Sequence, residues 1–264
     1  MTPNLAPADD VTRDCLLRGR VTLFQPRRGF RSSLDPVLLA GFVAPPYGRF
    51  LDLGCGTGAL AFLLLARDAQ ATGVGVEVQP RLAGLVERGI AANDVAARFH
   101  LALADVRRGG WRTGDGFDAG FDLVATNPPF QPIGCGALPP DDERAIAHHE
   151  VKLTLGEWLD QAALAVRSDG RIATVFPAGR LGELLAGLSV RGFSATRLRP
   201  VYPRPGQGAT RILCEARRHG ERPRQAAFEP PLFVHADDGE GYSAEVRTFL
   251  GEELDAAAEL EETR

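Results

Sequence analysis

Residues 51–58 read Leu51-Asp52-Leu53-Gly54-Cys55-Gly56-Thr57-Gly58, and this stretch decides the fold. Phe50-Leu51-Asp52-Leu53 is a short apolar run of buried-strand type, and Ala59 to Arg67 is an apolar, helix-forming run. A strand that passes through alternating glycines straight into a helix is a βα unit of an open α/β sheet. Ligands of such sheets bind at the carboxyl ends of the strands. Gly54, Gly56 and Gly58 let the backbone approach a ligand closely. With Ala59 the stretch also satisfies Gly-x-Gly-x-x-Ala, so the loop alone does not exclude a dinucleotide.

Outward from this unit the alternation continues. Strands are expected at 71–77, 99–104, 121–126 and 171–176, with helices at 81–93, 154–166 and 181–190. Strands separated by helical stretches mean βαβ units, hence a mostly parallel sheet with helices on both faces. Two further strands, near 195–202 and 210–216, have no helix between them and are expected to form a hairpin, one strand antiparallel. Upstream, residues 1–20 read as a loose arm, Val21 to Phe24 as a short strand, and Ser33-Leu34-Asp35-Pro36 as a helix start. The expected division is an N-terminal arm and cap segment (1–47), the α/β domain (48–220) and a C-terminal extension with an acidic tail (221–264).

Three acids fall at carboxyl ends of successive strands: Asp52, Glu77 and Asp105. Asp52 stands immediately before the glycines, where a carboxylate can hold an ammonium group, such as that of a methionine moiety, but would repel a pyrophosphate. Glu77 can accept both hydrogens of a ribose diol, and Asp105 can accept from an adenine amino group.

After the fourth strand comes Asn127-Pro128-Pro129-Phe130. Consecutive prolines hold the backbone extended and remove two N–H donors. The Asn127 side-chain oxygen and the Pro128 carbonyl can therefore both accept from one NH2 group. An aryl amine is a poor nucleophile because its lone pair is delocalised into the ring. Two acceptors draw the hydrogens out of plane and aim the lone pair at a sulfonium methyl. Phe130 would stack on the base, a contact worth about 1–3 kcal/mol.

The bulk composition limits the alternatives. The chain has 264 residues, 44% hydrophobic and 24% charged, enough for one sizeable core. It has no run of apolar residues long enough to span a membrane. Asp9 and Asp10 precede any apolar stretch, which is not the pattern of a secretory signal. Cys15, Cys55, Cys135 and Cys214 are scattered without metal or redox spacing, so reduced thiols in a cytoplasmic protein and no metal site are expected. Net charge is −4, but the chain is electrically divided. Residues 236–264 hold ten acids against Arg247 and Arg264, which leaves 28 basic and 24 acidic residues elsewhere. Arginine-rich segments at 13–31 and 197–224 suit phosphates of an RNA.

From residue 48 to about 216 the chain resembles the class I S-adenosylmethionine methyltransferases, and Asn127-Pro128-Pro129-Phe130 resembles the tetrad of those that methylate amino nitrogens. Gly29-Phe30-Arg31-Ser32-Ser33-Leu34-Asp35-Pro36-Val37-Leu38-Leu39 is more specific. It resembles the bacterial tRNA1(Val) adenine-N6 methyltransferase family, as do Arg204-Pro205-Gly206 leading to Arg211-Ile212-Leu213, and Tyr242-Ser243. The resemblance implies a Rossmann-like, seven-stranded, mostly parallel sheet. It implies an S-adenosylmethionine site lined by Arg31, Asp35, Asp52, Gly54, Gly56, Gly58, Glu77, Asp105 and Asn127. Catalytic work would fall to Asn127, Pro128 and Phe130, and the substrate would be a tRNA adenine next to the anticodon; apart from the resemblance, a monomer is the favoured expectation. Ser33, Pro36, Phe130 and the tail beyond Leu250 depart from that family's pattern. The tetrad by itself equally suits guanine N2 of ribosomal RNA, a protein glutamine or a small-molecule amine. An inactive RNA-binding scaffold and a nicotinamide oxidoreductase are the remaining readings, and the latter gives no reason for the tetrad.

Overall fold

The computed structural model describes residues 10–109, 111, 120–128, 153–220, 225–236 and 241–252. Expectations that fall on Pro129, Phe130, Cys135 and residues 253–264 lie outside these. The central sheet runs through β3 (Arg49–Leu53), β4 (Thr72–Glu77), β5 (Phe99–Leu103), β6 (Phe121–Thr126), β7 (Val166–Pro177), β8 (Phe193–Tyr202) and β9 (Arg211–Arg218). Its order is β5-β4-β3-β6-β7-β9-β8, with β10 (Ala227–Phe228) and β11 (Leu232–Phe233) added on the outer edge of β8. β3 to β7 pair in parallel, and β9 runs antiparallel to both β7 and β8, as the hairpin reading requires.

Period-two alternation decides which face each strand residue serves. On β3, Phe50 joins the core formed with α1 (Asp35–Phe42) and α2 (Ala59–Arg67), while Leu51 and Leu53 join the opposite core. The first core is built around Phe50, Phe62 and Phe99, and α3 (Pro80–Ala92) adds Val86 and Ile90. The second is formed with α4 (Leu155–Ala165) and α5 (Leu181–Ser189), where Trp158, Leu184 and Leu188 are buried. Trp111 belongs to the same core. α4 starts at a reciprocal cap: the Thr154 hydroxyl accepts from the Glu157 N–H while the Glu157 carboxylate accepts from the Thr154 N–H. α6 (Ala244–Phe249) lies against α1 so closely that a Cβ at Gly41 would stand 2.3 Å from the Phe249 ring.

The N-terminal segment differs from the loose arm expected. Val11–Leu16 is a strand, β1, hydrogen-bonded antiparallel to β2 (Val21–Pro26), with Leu16 opposite Val21. Its polar residues disguise it in the sequence, because their partners are distant. Asp14 accepts from Gln25 and Arg31, and Asp10 from Arg81 of α3. Val11 packs with Leu82 and Leu85, which seats the hairpin on α3.

Candidate active site

The carboxyl edge of the sheet gathers the ends of β3, β4, β5 and β6. After Leu53 the chain turns back on β4, with the N–H groups of Gly54 and Cys55 both donating to the Val76 carbonyl at 2.9 and 3.0 Å. That turn needs φ of 74°, 57° and 83° at Gly54, Gly56 and Gly58, a region that side chains disfavour. At Gly56 and Gly58 contacts add to the requirement, since a Cβ would meet the Phe30 and Phe62 rings at 2.8 Å each. At Gly54 a Cβ would meet nothing within 4 Å, so the loop faces open space there.

The three strand-end acids are held in three different ways. Asp52 is 1% exposed, and its Oδ2 has no hydrogen-bond partner among the described residues. Burial pushes its carboxyl up to about 8, partly offset by the Ala61 N–H at the start of α2 and reinforced by the Glu77 charge. Glu77 is also buried, but its carboxylate accepts from the backbone N–H groups of Gly56, Val78 and Gln79 at 2.8–2.9 Å. It thereby shapes the glycine loop. Asp105 caps the turn at Val106–Arg108 and is gripped by the Arg107 guanidinium, which holds its carboxyl below the usual carboxylate range.

Asn127 follows β6, whose last residue is tied to β3 by the Thr126 hydroxyl donating to the Leu53 carbonyl at 2.8 Å. Among the described residues the Asn127 Oδ1 is buried without a partner, and so is the Thr57 hydroxyl in the glycine loop. Pro128 is buried beside it. Unpaired buried acceptors are costly, about 1–3 kcal/mol each, and native proteins keep few of them. Among the described residues five buried polar side-chain atoms have no partner: two are donors, on Arg67 and Trp158, and the three that can accept belong to Asp52, Thr57 and Asn127. All three stand at this one edge, as expected of a site built to receive hydrogen-bond donors.

Asp52, Gly54, Gly56, Gly58, Glu77, Asp105 and Asn127 are thus brought to neighbouring strand ends. Arg31 and Asp35 have partners of their own. The Arg31 guanidinium donates to Asp14 at 2.6 Å, to the Thr12 hydroxyl at 2.8 Å and to the Pro26 carbonyl at 3.1 Å, stitching the N-terminal hairpin. Asp35 pairs with Arg211 of β9 at 3.2 Å. Phe30 of the same segment, absent from the expected cofactor-lining residues, packs on the glycine loop at Gly56. Its signal lay in its place between Gly29 and Arg31. The Cys55 and Cys214 thiols are raised by burial and are inert core groups.

A sheet of this order with a glycine loop after its first core strand and acids at the next two strand ends defines a class I methyltransferase. Residues 34–136 match the family described as Methyltransferase small domain. A tRNA1(Val) (adenine(37)-N6)-methyltransferase of Porphyromonas gingivalis is 30% identical over 214 residues, covering 79% of this chain and 83% of that one. The enzyme of the same name from Yersinia enterocolitica is 30% identical over 192 residues, covering 71% and 73%. This chain belongs to the tRNA1(Val) (adenine(37)-N6)-methyltransferase family. Among solved structures, a "predicted O-methyltransferase" of Agrobacterium tumefaciens superposes with a TM-score of 0.64 at 25% identity, covering 81% of this chain and 94% of that one. TYW2 of Pyrococcus horikoshii shares the fold at a TM-score of 0.53 and 15% identity, covering 80% and 72%.

Proposed function

We propose that this protein transfers the methyl group of S-adenosylmethionine to N6 of adenine 37 in tRNA1(Val), acting as a monomer in the cytoplasm. The observation that carries this reading is the orphaned Asn127 Oδ1, a buried acceptor next to Pro128 at the end of β6. The membership of the family supplies the substrate. The donor set also fits the cofactor: Asp52 would take the ammonium, Glu77 the ribose diol and Asp105 the adenine amine. A pyrophosphate would meet the buried Asp52 instead, which argues against a dinucleotide. When bound, the cofactor supplies an electrophilic methyl group on a sulfonium.

The chain's own work is positioning. Asn127 Oδ1 and the Pro128 carbonyl accept the two hydrogens of the substrate NH2, hold it in register and turn the nitrogen lone pair toward the methyl carbon. No strong base is required, because the proton becomes acidic once nitrogen carries the new methyl, and it would pass from its hydrogen bond with Asn127 to water. Phe130 would stack the base, which must be flipped or already unstacked to arrive. The test is methyl transfer from labelled S-adenosylmethionine to tRNA lacking this modification, with nucleoside analysis. N6-methyladenosine in tRNA1(Val) is expected. Label confined to ribosomal RNA, to a release factor or to small amines would overturn the substrate assignment, and cofactor binding with no acceptor at all would overturn the enzyme.

A further inference from the structure

Asp105 differs from the other strand-end acids because a side chain of its own turn occupies it. The Arg107 Nε donates to both carboxylate oxygens, at 3.0 and 3.2 Å, and its Nη2 donates to Oδ2 at 2.6 Å. The Arg107 N–H adds a fourth contact at 3.0 Å, and the Arg108 Nε stands 3.8 Å from Oδ2. An adenine amino group needs the same carboxylate lone pairs. A carboxylate has roughly four lone-pair sites, and this fork consumes the ones that face it. The two side chains are 36% and 16% exposed, so the pair is a weak, solvent-screened one that a ligand can displace.

We propose that Arg107 is an intramolecular competitor for the adenine subsite, a positioning residue that sets how tightly the nucleoside half of the cofactor and of its demethylated product is held. The proposal rests on the assignment of Asp105 to adenine made above. Its logic is that of a conformational tax. Every adenosyl ligand must first open the Arg107–Asp105 fork, so affinity falls by the fraction of molecules in which the fork is closed. Because substrate cofactor and product share the nucleoside, both pay equally, and the product leaves faster than it otherwise would. Glu77, held by backbone N–H groups that stay in place, imposes no such cost.

The test measures binding of S-adenosylhomocysteine and of 5′-methylthioadenosine, which lacks the amino-acid part, to the full chain by calorimetry at low and high salt. Arg107→Ala should tighten both ligands alike, by about 2- to 6-fold, the worth of a partly exposed pair. Added salt, which weakens the fork, should raise wild-type affinity toward that of the variant, and Arg107→Lys should fall between the two. Asp105→Ala should weaken both ligands, and adding Arg107→Ala to it should bring no further tightening. If Asp105→Ala weakens binding while Arg107→Ala leaves it unchanged or weakens it, the competitor role is wrong and the adenine assignment stands. If Asp105→Ala changes neither ligand, the adenine assignment falls and the competitor role falls with it.

Discussion

Two regions of this molecule bury a carboxyl group, and they treat it in opposite ways. Under the end of α1, Glu215 is 4% exposed and surrounded by arginines: Arg171 at 3.3 Å, Arg197 at 3.4 Å and Arg217 at 3.7 Å. The same arginines reach on to backbone carbonyls, Arg171 to Pro46 at 3.0 Å and Arg197 to Phe42 at 3.2 Å, and Arg197 also to Glu229 at 2.5 Å. Charge there fastens α1 and β10 to the sheet. At the carboxyl edge, Asp52 is as deeply buried, yet among the described residues one of its oxygens has no partner. A fold has no use for such a group, because ionising a buried carboxyl with no compensating partner costs stability. Its retention makes sense once a cationic ligand is part of the accounting. The carboxylate with partners marks what holds the protein together, and the carboxyl without them marks what it binds.

Breaking the paired region should cost the most. Glu215→Ala removes the carboxylate that three arginines share and leaves Arg197 with Glu229 alone, and we expect a loss of about 3–5 kcal/mol in denaturant unfolding. Cofactor affinity of the remaining folded protein should stay within about twofold, since Glu215 lies away from the glycine loop. An equal loss of binding would mean the two regions are coupled.

Asn127→Ala sharpens the comparison from the other side. Turnover should fall by about 10²–10³-fold, the usual cost of one preorganised hydrogen-bonding partner, while the cofactor dissociation constant hardly moves. Unfolding stability should hold or rise, because an orphaned acceptor is removed. Retained turnover would refute the acceptor role.

Asp52→Asn tests the carboxyl without partners directly. With its folded pKa near 8 and its ordinary value at 3.8, the carboxyl binds its proton more tightly in the folded state. Its contribution to stability is complete below pH 4 and is lost as pH rises through 8. The ligand-free variant should therefore match wild type at low pH and exceed it at pH 8, by about 1–3 kcal/mol. It should also bind S-adenosylmethionine more weakly. At pH 6.5 the wild type should release a proton on binding, seen as buffer-dependent heat in calorimetry, and the variant should not. A wild-type stability flat from pH 4 to 8 would contradict the assigned burial cost.

The smallest effect is expected at Thr57, whose buried hydroxyl is unpartnered. Thr57→Val should change unfolding free energy by no more than about 1 kcal/mol, in the stabilising direction, by thermal melts. A clear destabilisation would show that the hydroxyl serves the fold and not the edge.

Local chemistry made much of this legible beforehand. The glycine loop, the apolar strands and the Thr154–Glu157 cap are signals within a few residues, so the βα alternation and the antiparallel hairpin could be read without the structure. β1 could not. Its residues Thr12, Arg13 and Asp14 look like solvated arm, and become strand residues only because Gln25, Arg31 and Arg81 answer nearby charges from other elements.

The same boundary separates what was readable at the site from what was not. The sequence alone determined the class of chemistry, since residue types at strand ends limit what can be bound: acids for an ammonium, a diol and an amine, and an acceptor before consecutive prolines. Tertiary structure decided which of those groups are engaged. Arg31 went to Asp14, Asp35 to Arg211 and Arg107 to Asp105, while Asp52, Thr57 and Asn127 were left with open valence. The physical reason is that a side chain's identity fixes its capacity to bond, but strand order and close packing choose its partner.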